Sequence, residues 1–130
     1  MSMAPGTERE ETAAGARAAV FVFETMRKRA DFLAAARGLV ARRPGFVLQA
    51  RDRGDGEAFR VGFTCSKKVG NAVARNRAKR RLREAARLEM PTVARPGWDY
   101  VLIGRRDRTA ALPFGQLRAD LAAAVAEVHR

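Results

Sequence analysis

The spacing of apolar residues predicts a short amphipathic helix over residues 29 to 37. Phe32, Leu33 and Ala36 fall on one side of this helix at a periodicity of about 3.6 residues. Gly38 follows at the position where many helices end with a residue in the left-handed conformation. We therefore expect the helix to end at this glycine.

Three strands are predicted after this helix, over residues 39 to 42, 46 to 51 and 58 to 66. Residues 53 to 56, Arg-Gly-Asp-Gly, are typical of a hairpin connection between the second strand and the third. The third strand alternates most clearly between apolar and polar residues, so one of its faces should belong to the core. That face is predicted to carry Phe59, Val61, Phe63 and Cys65.

The second half of the chain predicts a long helix, a buried strand and a final helix. Helical periodicity begins after residue 71 and runs to about Met90, where Pro91 is expected to break it. Residues 100 to 105 are almost wholly apolar, which indicates a strand in the centre of a sheet. Pro113 suits the start of the last helix. The buried side of that helix is predicted to contain Leu117, Leu121, Ala124, Val125 and Val128.

This order of elements predicts an α+β sandwich in which helices pack on one sheet. A chain of 130 residues suits a single domain with one hydrophobic core. Residues 1 to 24 show no sustained periodicity and are predicted to form a disordered N-terminal extension. The folded domain is therefore expected over residues 25 to 130.

Positive charge is concentrated in one part of the chain. The sequence has 26 Lys and Arg against 14 Asp and Glu, a formal net charge of +12 that favours a polyanionic partner. Nine of the positive charges fall between residues 67 and 87, where Glu84 is the only acidic residue. RNA and DNA are both candidate partners, and an anionic membrane surface is an alternative.

On the predicted long helix, apolar and charged residues lie on opposite sides. The apolar stripe consists of Ala74, Ala78, Leu82 and Ala85. The opposite side carries Lys79, Arg80, Arg83 and Arg87. The planar guanidinium of arginine can bind a phosphate bidentately or stack on a base, which suits structured RNA. The alternative is a solvated charged face with intrahelical pairs to Glu84, but one glutamate cannot neutralise so many cations.

Several functional classes are disfavoured by simple counts. Cys65 is the only cysteine, so it cannot form an intramolecular disulfide, and no Cys and His set has metal-ligand spacing. No stretch of about 18 apolar residues could span a membrane. The first 15 residues contain glutamates instead of the positive segment of a secretory signal. We therefore expect a cytoplasmic protein that does not bind membranes.

A run within the basic segment resembles the signature of the bacterial ribonuclease P protein family. It begins with Ser66-Lys67-Lys68-Val69-Gly70-Asn71-Ala72-Val73, continues with Arg75-Asn76-Arg77 and ends with Lys79-Arg80-Arg81-Leu82-Arg83-Glu84. Further similar segments are Arg29-Ala30-Asp31-Phe32, Arg60-Val61-Gly62-Phe63 and Asp99-Tyr100-Val101-Leu102-Ile103. The resemblance covers residues 25 to 128 and is far more specific than basic composition.

The resemblance implies an α-β-β-β-α-β-α fold in which the basic helix lies in a left-handed β-α-β crossover. General rules predict the opposite hand for such a connection. The resemblance also implies a protein subunit of ribonuclease P that binds the catalytic RNA subunit and the 5' leader of precursor tRNA. The RNA, with Mg²⁺ bound mainly by the RNA, would remove the leader, so no catalytic protein residue and no protein metal site are expected. No dedicated protein partner is evident.

The resemblance assigns residues to two surfaces. The signature helix and the loop before it would face the catalytic RNA. Arg83 is included in this surface because it lies on the charged side of the predicted helix. These residues are Lys67, Lys68, Asn71, Arg75, Asn76, Arg77, Lys79, Arg80, Arg81 and Arg83. A cleft between the first helix and the sheet would receive the leader, with Phe32 as a stacking aromatic; an ordinary core position is the alternative for Phe32.

Other residues of this cleft are expected to differ from the family pattern or to add charge. Arg60 and Arg105 would supply positive charge along the cleft. Gln49 stands where some members carry a tyrosine, and Ala36 where many carry a second aromatic. The stacking surface would therefore be thinner, with contacts shifted towards phosphates.

Two other functions compete with this interpretation. An independent nuclease would need paired carboxylates or a histidine near the basic helix, but the only histidine is His129, next to the C-terminus. A ribosomal or nucleoid protein could use a basic helix on a sheet equally well, and only the signature disfavours it. A DNA-reading helix-turn-helix is disfavoured because residues 91 to 97 lead from the basic helix into a strand.

Overall fold

The chain forms one mixed sheet with helices on both faces. The computed structural model describes residues 23–130. The elements in chain order are β1 (Glu24–Thr25), α1 (Arg29–Ala36), β2 (Leu39–Arg43), β3 (Phe46–Asp52), β4 (Arg60–Cys65), a 3₁₀ turn (Lys67–Val69), α2 (Ala72–Val93), β5 (Trp98–Gly104), α3 (Arg108–Ala111) and α4 (Phe114–Val128). The strand order is β1-β4-β5-β3-β2. This confirms the predicted α+β sandwich.

Strand β5 lies in the middle of the sheet, as its apolar sequence predicts. It pairs in parallel with β4 on one side and antiparallel with β3 on the other. The outer strands β1 and β2 pair in parallel with β4 and antiparallel with β3, respectively. Strands β4 and β5 are parallel neighbours joined through α2, so the crossover is present, and its left hand stays a prediction.

The larger core lies between the sheet and the helices α2 and α4. Apolar residues at alternate positions of the strands, including Phe46, Leu48, Tyr100 and Leu102, are fully buried on this side. The predicted buried side of α4 is confirmed, because its five predicted residues are all buried. Pro113 directly precedes the helix as its N-cap.

The other face of the sheet is covered only in part, by α1. The register places residues of β3, β5 and β4 in rows across this face. From one end of the sheet to the other, the rows are Arg51-Asp99-Arg60, Gln49-Val101-Gly62 and Val47-Ile103-Thr64. Helix α1 packs on the middle row through Phe32 and the fully buried Ala35.

Two details of the prediction for α1 are wrong. Leu33 is 47% exposed and Ala36 is exposed, so the packed side of the helix is formed by Phe32 and Ala35. Gly38 does not adopt a positive φ angle. A glycine is needed there because a Cβ atom would collide with the carbonyl oxygen of Ala50.

The predicted hairpin between β3 and β4 is also wrong, because β5 lies between these two strands. The connecting loop instead crosses the start of β5. The N–H of Arg53 donates to the carbonyl of Gly97 at 2.8 Å, and the N–H of Gly97 donates to the carbonyl of Glu57 at 2.5 Å. The turn residues indicate only that the chain reverses direction locally. The order of strands depends instead on which strand buries both of its faces in the sheet, and that is β5.

Helix α2 continues beyond the predicted break and contains Pro91. A proline removes one N–H donor from a helix, yet the helical path here continues for two more residues, to Val93. The N–H of Ala94 still donates to the carbonyl of Met90 at 2.8 Å and closes the helix. The short helix α3 was not predicted at all.

The predicted division between an N-terminal extension, residues 1 to 24, and the domain that follows it stays a prediction. Residues 1–22 of the predicted extension lie outside the described residues. Phe23 packs near the rings of Phe59 and Phe63, each at a centroid distance of 6.1 Å. In the described part of the chain, no helix has both the length and the apolar character needed to cross a membrane.

Candidate nucleic-acid interface

The segment before α2 is a tight turn shaped by its own side chains. Ser66 caps the 3₁₀ turn Lys67–Val69. Gly70 adopts a φ angle of 140°, which favours glycine. The side-chain oxygen of Asn71 accepts a hydrogen bond from the N–H of Ala74 at 3.0 Å, so Asn71 is the N-cap of α2. This geometry directs the two lysines of the turn and the start of α2 outward.

Helix α2 lies on the sheet through small residues. Ala78, Leu82 and Ala85 of the predicted stripe are each 1% exposed, and Ala74 is half-buried. The side chains are short, so the helix backbone can approach the sheet closely and hold the opposite side in a defined position. The predicted apolar stripe is therefore confirmed.

Seven of the ten side chains predicted to face the catalytic RNA are exposed: Lys67, Lys68, Asn71, Asn76, Arg77, Arg80 and Arg83. The other three, Arg75, Lys79 and Arg81, are half-buried. We call the seven exposed residues the α2 surface. They lie on the turn and on the outward side of the helix that follows it, which makes one continuous polar and basic surface.

Arg81 has a structural role that the sequence did not reveal. Its guanidinium donates hydrogen bonds to the carbonyls of Ala110 and Leu112, the latter at 2.7 Å, and lies 5.9 Å from the centre of the Phe114 ring. These contacts join α2 to the segment that leads from α3 into α4. Both terminal nitrogens of the Arg81 guanidinium therefore donate hydrogen bonds within the protein, which leaves fewer donors available to RNA.

Two further arginines of the helix also contact the protein itself. Arg75 donates to the carbonyl of Gly70 at 2.8 Å and so supports the turn before the helix. The guanidinium of Arg83 lies 5.2 Å from the centre of the Phe63 ring. Both side chains keep other donors available.

The structure places Arg105 beside the α2 surface and not beside Phe32. Arg105 follows the end of β5 and lines a groove together with Val69, Asn71, Arg77 and Asp107. Its Nε atom is buried and has no hydrogen-bond partner within the described residues. The prediction that Arg105 extends the cleft at Phe32 is therefore corrected: its charge belongs to the surface formed by α2.

A shallow cleft lies between α1 and the open face of the sheet, as predicted. Phe32 and Gln49 line it together with Val101 and Thr64, and Arg27 and Arg29 add charges that sequence reasoning missed. The ring of Phe32 is half-buried and covers Gly62. A Cβ atom at position 62 would lie 2.7 Å from this ring, so the glycine leaves room for the aromatic side chain.

Arg60, the remaining residue predicted for the cleft, is bound to carboxylates. Its Nε and Nη2 atoms donate to the two oxygens of Asp99, each at 2.7 Å, and Nη1 lies 3.3 Å from Asp31 on α1. Arg53 donates to the same Asp99 at 2.7 Å. The expectation that Arg60 offers its charge to the cleft is therefore corrected, because its guanidinium joins α1 to the sheet.

Asp99 is completely buried at the centre of this ion-pair cluster. Burial alone would raise the pKa of its carboxyl group, but hydrogen bonds from Arg60 and Arg53 outweigh that effect and hold the pKa below its usual value. The carboxylate is thus ionised and fully paired at neutral pH. We call Asp31, Arg53, Arg60 and Asp99 the Asp99 cluster.

His129 is packed against the core, far along the sheet from the basic surface. Its Nε2 atom lies 2.6 Å from the hydroxyl of Tyr100, and its ring contacts the edge of Trp98 at a centroid distance of 4.4 Å. Burial lowers the pKa of His129 and raises the pKa of Tyr100 to about 12. In residues 23–130, no three His, Cys, Asp or Glu side chains are grouped to hold a metal ion.

Fold and surface together define the class of protein: a small α+β domain that presents an arginine-rich helix and a separate aromatic cleft. A family model described as Ribonuclease P matches residues 22–129. The chain is 63% identical over 109 residues to the ribonuclease P protein component of Ruegeria pomeroyi, covering 80% of this chain and 85% of that protein. The chain therefore belongs to the ribonuclease P protein family.

Solved structures agree with this assignment. The RNase P protein from Thermotoga maritima superposes with a TM-score of 0.67 at 30% identity, covering 80% of this chain and 96% of that one. The Staphylococcus aureus RNase P protein superposes with a TM-score of 0.65 at 28% identity, covering 82% and 97%. The order of helices and strands is the same as in these proteins.

Proposed function

We propose that this protein is the protein subunit of ribonuclease P and works in the cytoplasm in the maturation of tRNA. The α2 surface binds the catalytic RNA subunit, and the cleft at Phe32 binds the 5' leader of precursor tRNA. The RNA, with Mg²⁺ held mainly by the RNA, supplies the chemistry of leader removal. The role of the protein is to bind and position both RNAs.

The observation that carries this proposal is the unpaired charge of the α2 surface. Within residues 23–130, Lys67, Lys68, Arg77, Arg80 and Arg83 form no ion pair. The one glutamate among them, Glu84, is paired with Arg87 at 2.5 Å. A rigid helix with so many unneutralised cations suits the closely spaced phosphates of a structured RNA.

Reconstitution tests this function directly. The full-length protein is combined with a bacterial ribonuclease P RNA transcript and a precursor tRNA at low Mg²⁺, and cleavage at the mature 5' end is measured. We expect the protein to bind the transcript and to increase the rate of cleavage. The protein alone should not cleave the precursor. Binding to ribosomal RNA or DNA with equal affinity, and no stimulation of cleavage, would contradict the proposal.

The cleft is supported by a different observation, the half-buried ring of Phe32 beside the polar Gln49 and the cations of Arg27 and Arg29. An aromatic ring with one open side can stack on an unpaired base of any identity. Nearby cations can then contact the adjoining phosphates. Such a site suits a single-stranded leader of variable sequence.

Substitution of Phe32→Ala tests the cleft. In the reconstituted holoenzyme, we expect affinity for precursor tRNA with a leader to fall by roughly 1 to 3 kcal/mol, because one stacking contact is lost. Affinity for mature tRNA, which has no leader, should stay the same. Leu33→Ala is the matched control, because Leu33 is the next residue on α1 and is 47% exposed.

A melting curve separates binding from folding in this experiment. A buried Phe→Ala substitution costs roughly 3 to 5 kcal/mol of stability, and a half-buried ring should cost less. If both tRNAs lost affinity equally, or if the melting temperature fell by the full amount, Phe32 would belong to the core. The leader site would then have to lie elsewhere.

A further inference from the structure

A second aromatic side chain lies among the arginines of α2. Phe114 is the first residue of α4, and it packs on the edge of the main core with its ring only partly buried. The part that remains open lines a surface depression with Arg77, Arg80, Arg81 and Glu84 of α2. None of the residues assigned to RNA from the sequence lies in α4.

The charges around Phe114 are fixed in different ways. Arg81 holds its guanidinium 5.9 Å from the ring centre, and its hydrogen bonds to two backbone carbonyls keep it there. Arg77 and Arg80 are exposed and unpaired within the described part of the chain. Glu84 faces Arg87 at 2.5 Å, so the acidic group that lines the depression within residues 23–130 is already paired. The depression therefore has an aromatic floor and a cationic rim.

We propose that Phe114, Arg77 and Arg80 form a stacking subsite for one unpaired base of the RNA that α2 binds. The base lies on the open side of the Phe114 ring, and the two exposed guanidinium groups contact the phosphates on either side of it. This inference rests on the proposed function. It adds a contact from α4 and predicts that the bound RNA is locally single-stranded or bulged at this point.

An RNA base fits this depression better than an apolar protein segment does. A protein segment would have to leave several cations desolvated and unpaired, which is costly. A paired base in a continuous RNA helix has no open face that could stack on the ring. Phosphates alone could bind to the arginines, but they would leave the aromatic ring without a partner. The combination of an open aromatic ring and unpaired cations is met by an unstacked nucleotide.

Phe114→Leu tests the subsite, because leucine still fills the edge of the core but offers no aromatic face. Binding of the full-length protein to a bacterial ribonuclease P RNA transcript should weaken by roughly 5- to 150-fold, the range for loss of one stacked base. The slope of log affinity against log salt should not change, because no phosphate contact is removed. Phe114→Trp keeps an aromatic face, so this variant should bind the transcript about as tightly as the wild-type protein.

Phe59→Leu is the matched control. Phe59 is also a partly buried phenylalanine at the edge of the same core, but it lies near Phe23 and Tyr100. Its substitution should disturb packing to a similar extent without weakening RNA binding. If Phe114→Leu bound the transcript as tightly as the wild-type protein, or if both leucine variants lost affinity equally, the subsite would be disproved.

Crosslinking supplies a readout that does not depend on stability. A photoreactive phenylalanine analogue is placed at position 114 of the full-length protein and irradiated in the complex with the same transcript. We expect a crosslink to one unpaired nucleotide. A crosslink confined to paired nucleotides, or none at all in a complex that forms, would overturn the subsite. Failure of the wild-type protein to bind the transcript would instead contradict the proposed function.

Discussion

The arginines of the α2 surface and those of the Asp99 cluster have the same chemistry and opposite environments. Arg77 and Arg80 are exposed without a carboxylate partner in the described residues. Arg53 and Arg60 are mostly buried, with side chains 10% and 20% exposed, and both contact the buried Asp99. The net charge of +12 therefore overstates what the open face of the sheet offers to RNA. On the opposite face of the sheet, the cations of the α2 surface are exposed and form no ion pair within the described residues.

Removal of Asp99 should have the largest effect on stability. Asp99→Ala leaves two guanidinium groups without their common partner, and breaking a buried pair in this way costs about 3 kcal/mol or more. Of the two carboxylates that pair with Arg60 in the described residues, that of Asp31 would then remain, so α1 should also become less firmly held. Urea denaturation of the variant and the wild-type protein measures the difference.

Asp107→Asn is the control for this substitution, because Asp107 has a φ angle of 62°, which asparagine adopts more readily than alanine. Asp107 lies 3.8 Å from Arg106, but the two side chains are 86% and 75% exposed. An exposed pair of this kind contributes little, so the variant should be about as stable as the wild-type protein. Equal effects at positions 99 and 107 would mean that the Asp99 cluster does not stabilise the fold.

The contribution of Arg81 to stability should be intermediate between that of the buried Asp99 cluster and that of an exposed residue. Arg81→Ala removes two hydrogen bonds to carbonyls of the segment between α3 and α4, so we expect a loss of about 1 to 2 kcal/mol in the free energy of unfolding. Arg80→Ala, at the neighbouring and exposed position, should cost under about 0.5 kcal/mol. Thermal denaturation of both variants tests this contrast. If the two were equally stable, the contacts of Arg81 would contribute nothing to the fold.

Acid should weaken the Asp99 cluster. The pKa of Asp99 in the folded protein lies below its ordinary value of 3.8, so the unfolded chain takes up the proton first as the pH falls. The stability contributed by this carboxylate is therefore complete above about pH 3.8 and is lost as the pH falls below it. Denaturation midpoints across this range should fall less steeply for Asp99→Asn than for the wild-type protein. An equally steep decline in the variant would assign the acid sensitivity to other carboxyl groups.

The sequence was most informative where local periodicity decides the structure. The stripe of α2 and the buried side of α4 follow from the helical repeat alone, and the apolar run around Val101 indicated a central strand. Each of these depends on neighbours within a few turns or residues of the same element. The family signature then located the α2 surface.

Contacts between distant segments could not be predicted in this way. The Asp99 cluster depends on the register of β5 with β3 and β4, which brings Arg51 and Arg60 opposite Asp99. The sequence alone indicated no partner for Asp99, which directly precedes the apolar run of the predicted central strand. Arg80 and Arg81 are adjacent in the sequence, yet a rotation of about 100° along the helix turns one outward and the other towards α3. The short α3 had no sequence signal that would have revealed this partner.

The smallest effect on stability, and the clearest effect on binding, should come from Arg77→Ala. Its exposed side chain has no partner among residues 23–130, so the free energy of unfolding should change by under about 0.5 kcal/mol. If Arg77 contacts one phosphate, the slope of log affinity against log salt should become shallower by roughly 0.7 to 0.9 for the ribonuclease P RNA transcript.

Arg53→Ala supplies the opposite pattern, a less stable protein with an unchanged slope, because Arg53 is bound to Asp99 and Asp55. Filter binding over a series of salt concentrations, with a melting curve for each variant, measures both quantities. A changed slope for Arg53→Ala, or an unchanged one for Arg77→Ala, would show that the exposed and the paired arginines do not divide binding and stability between them.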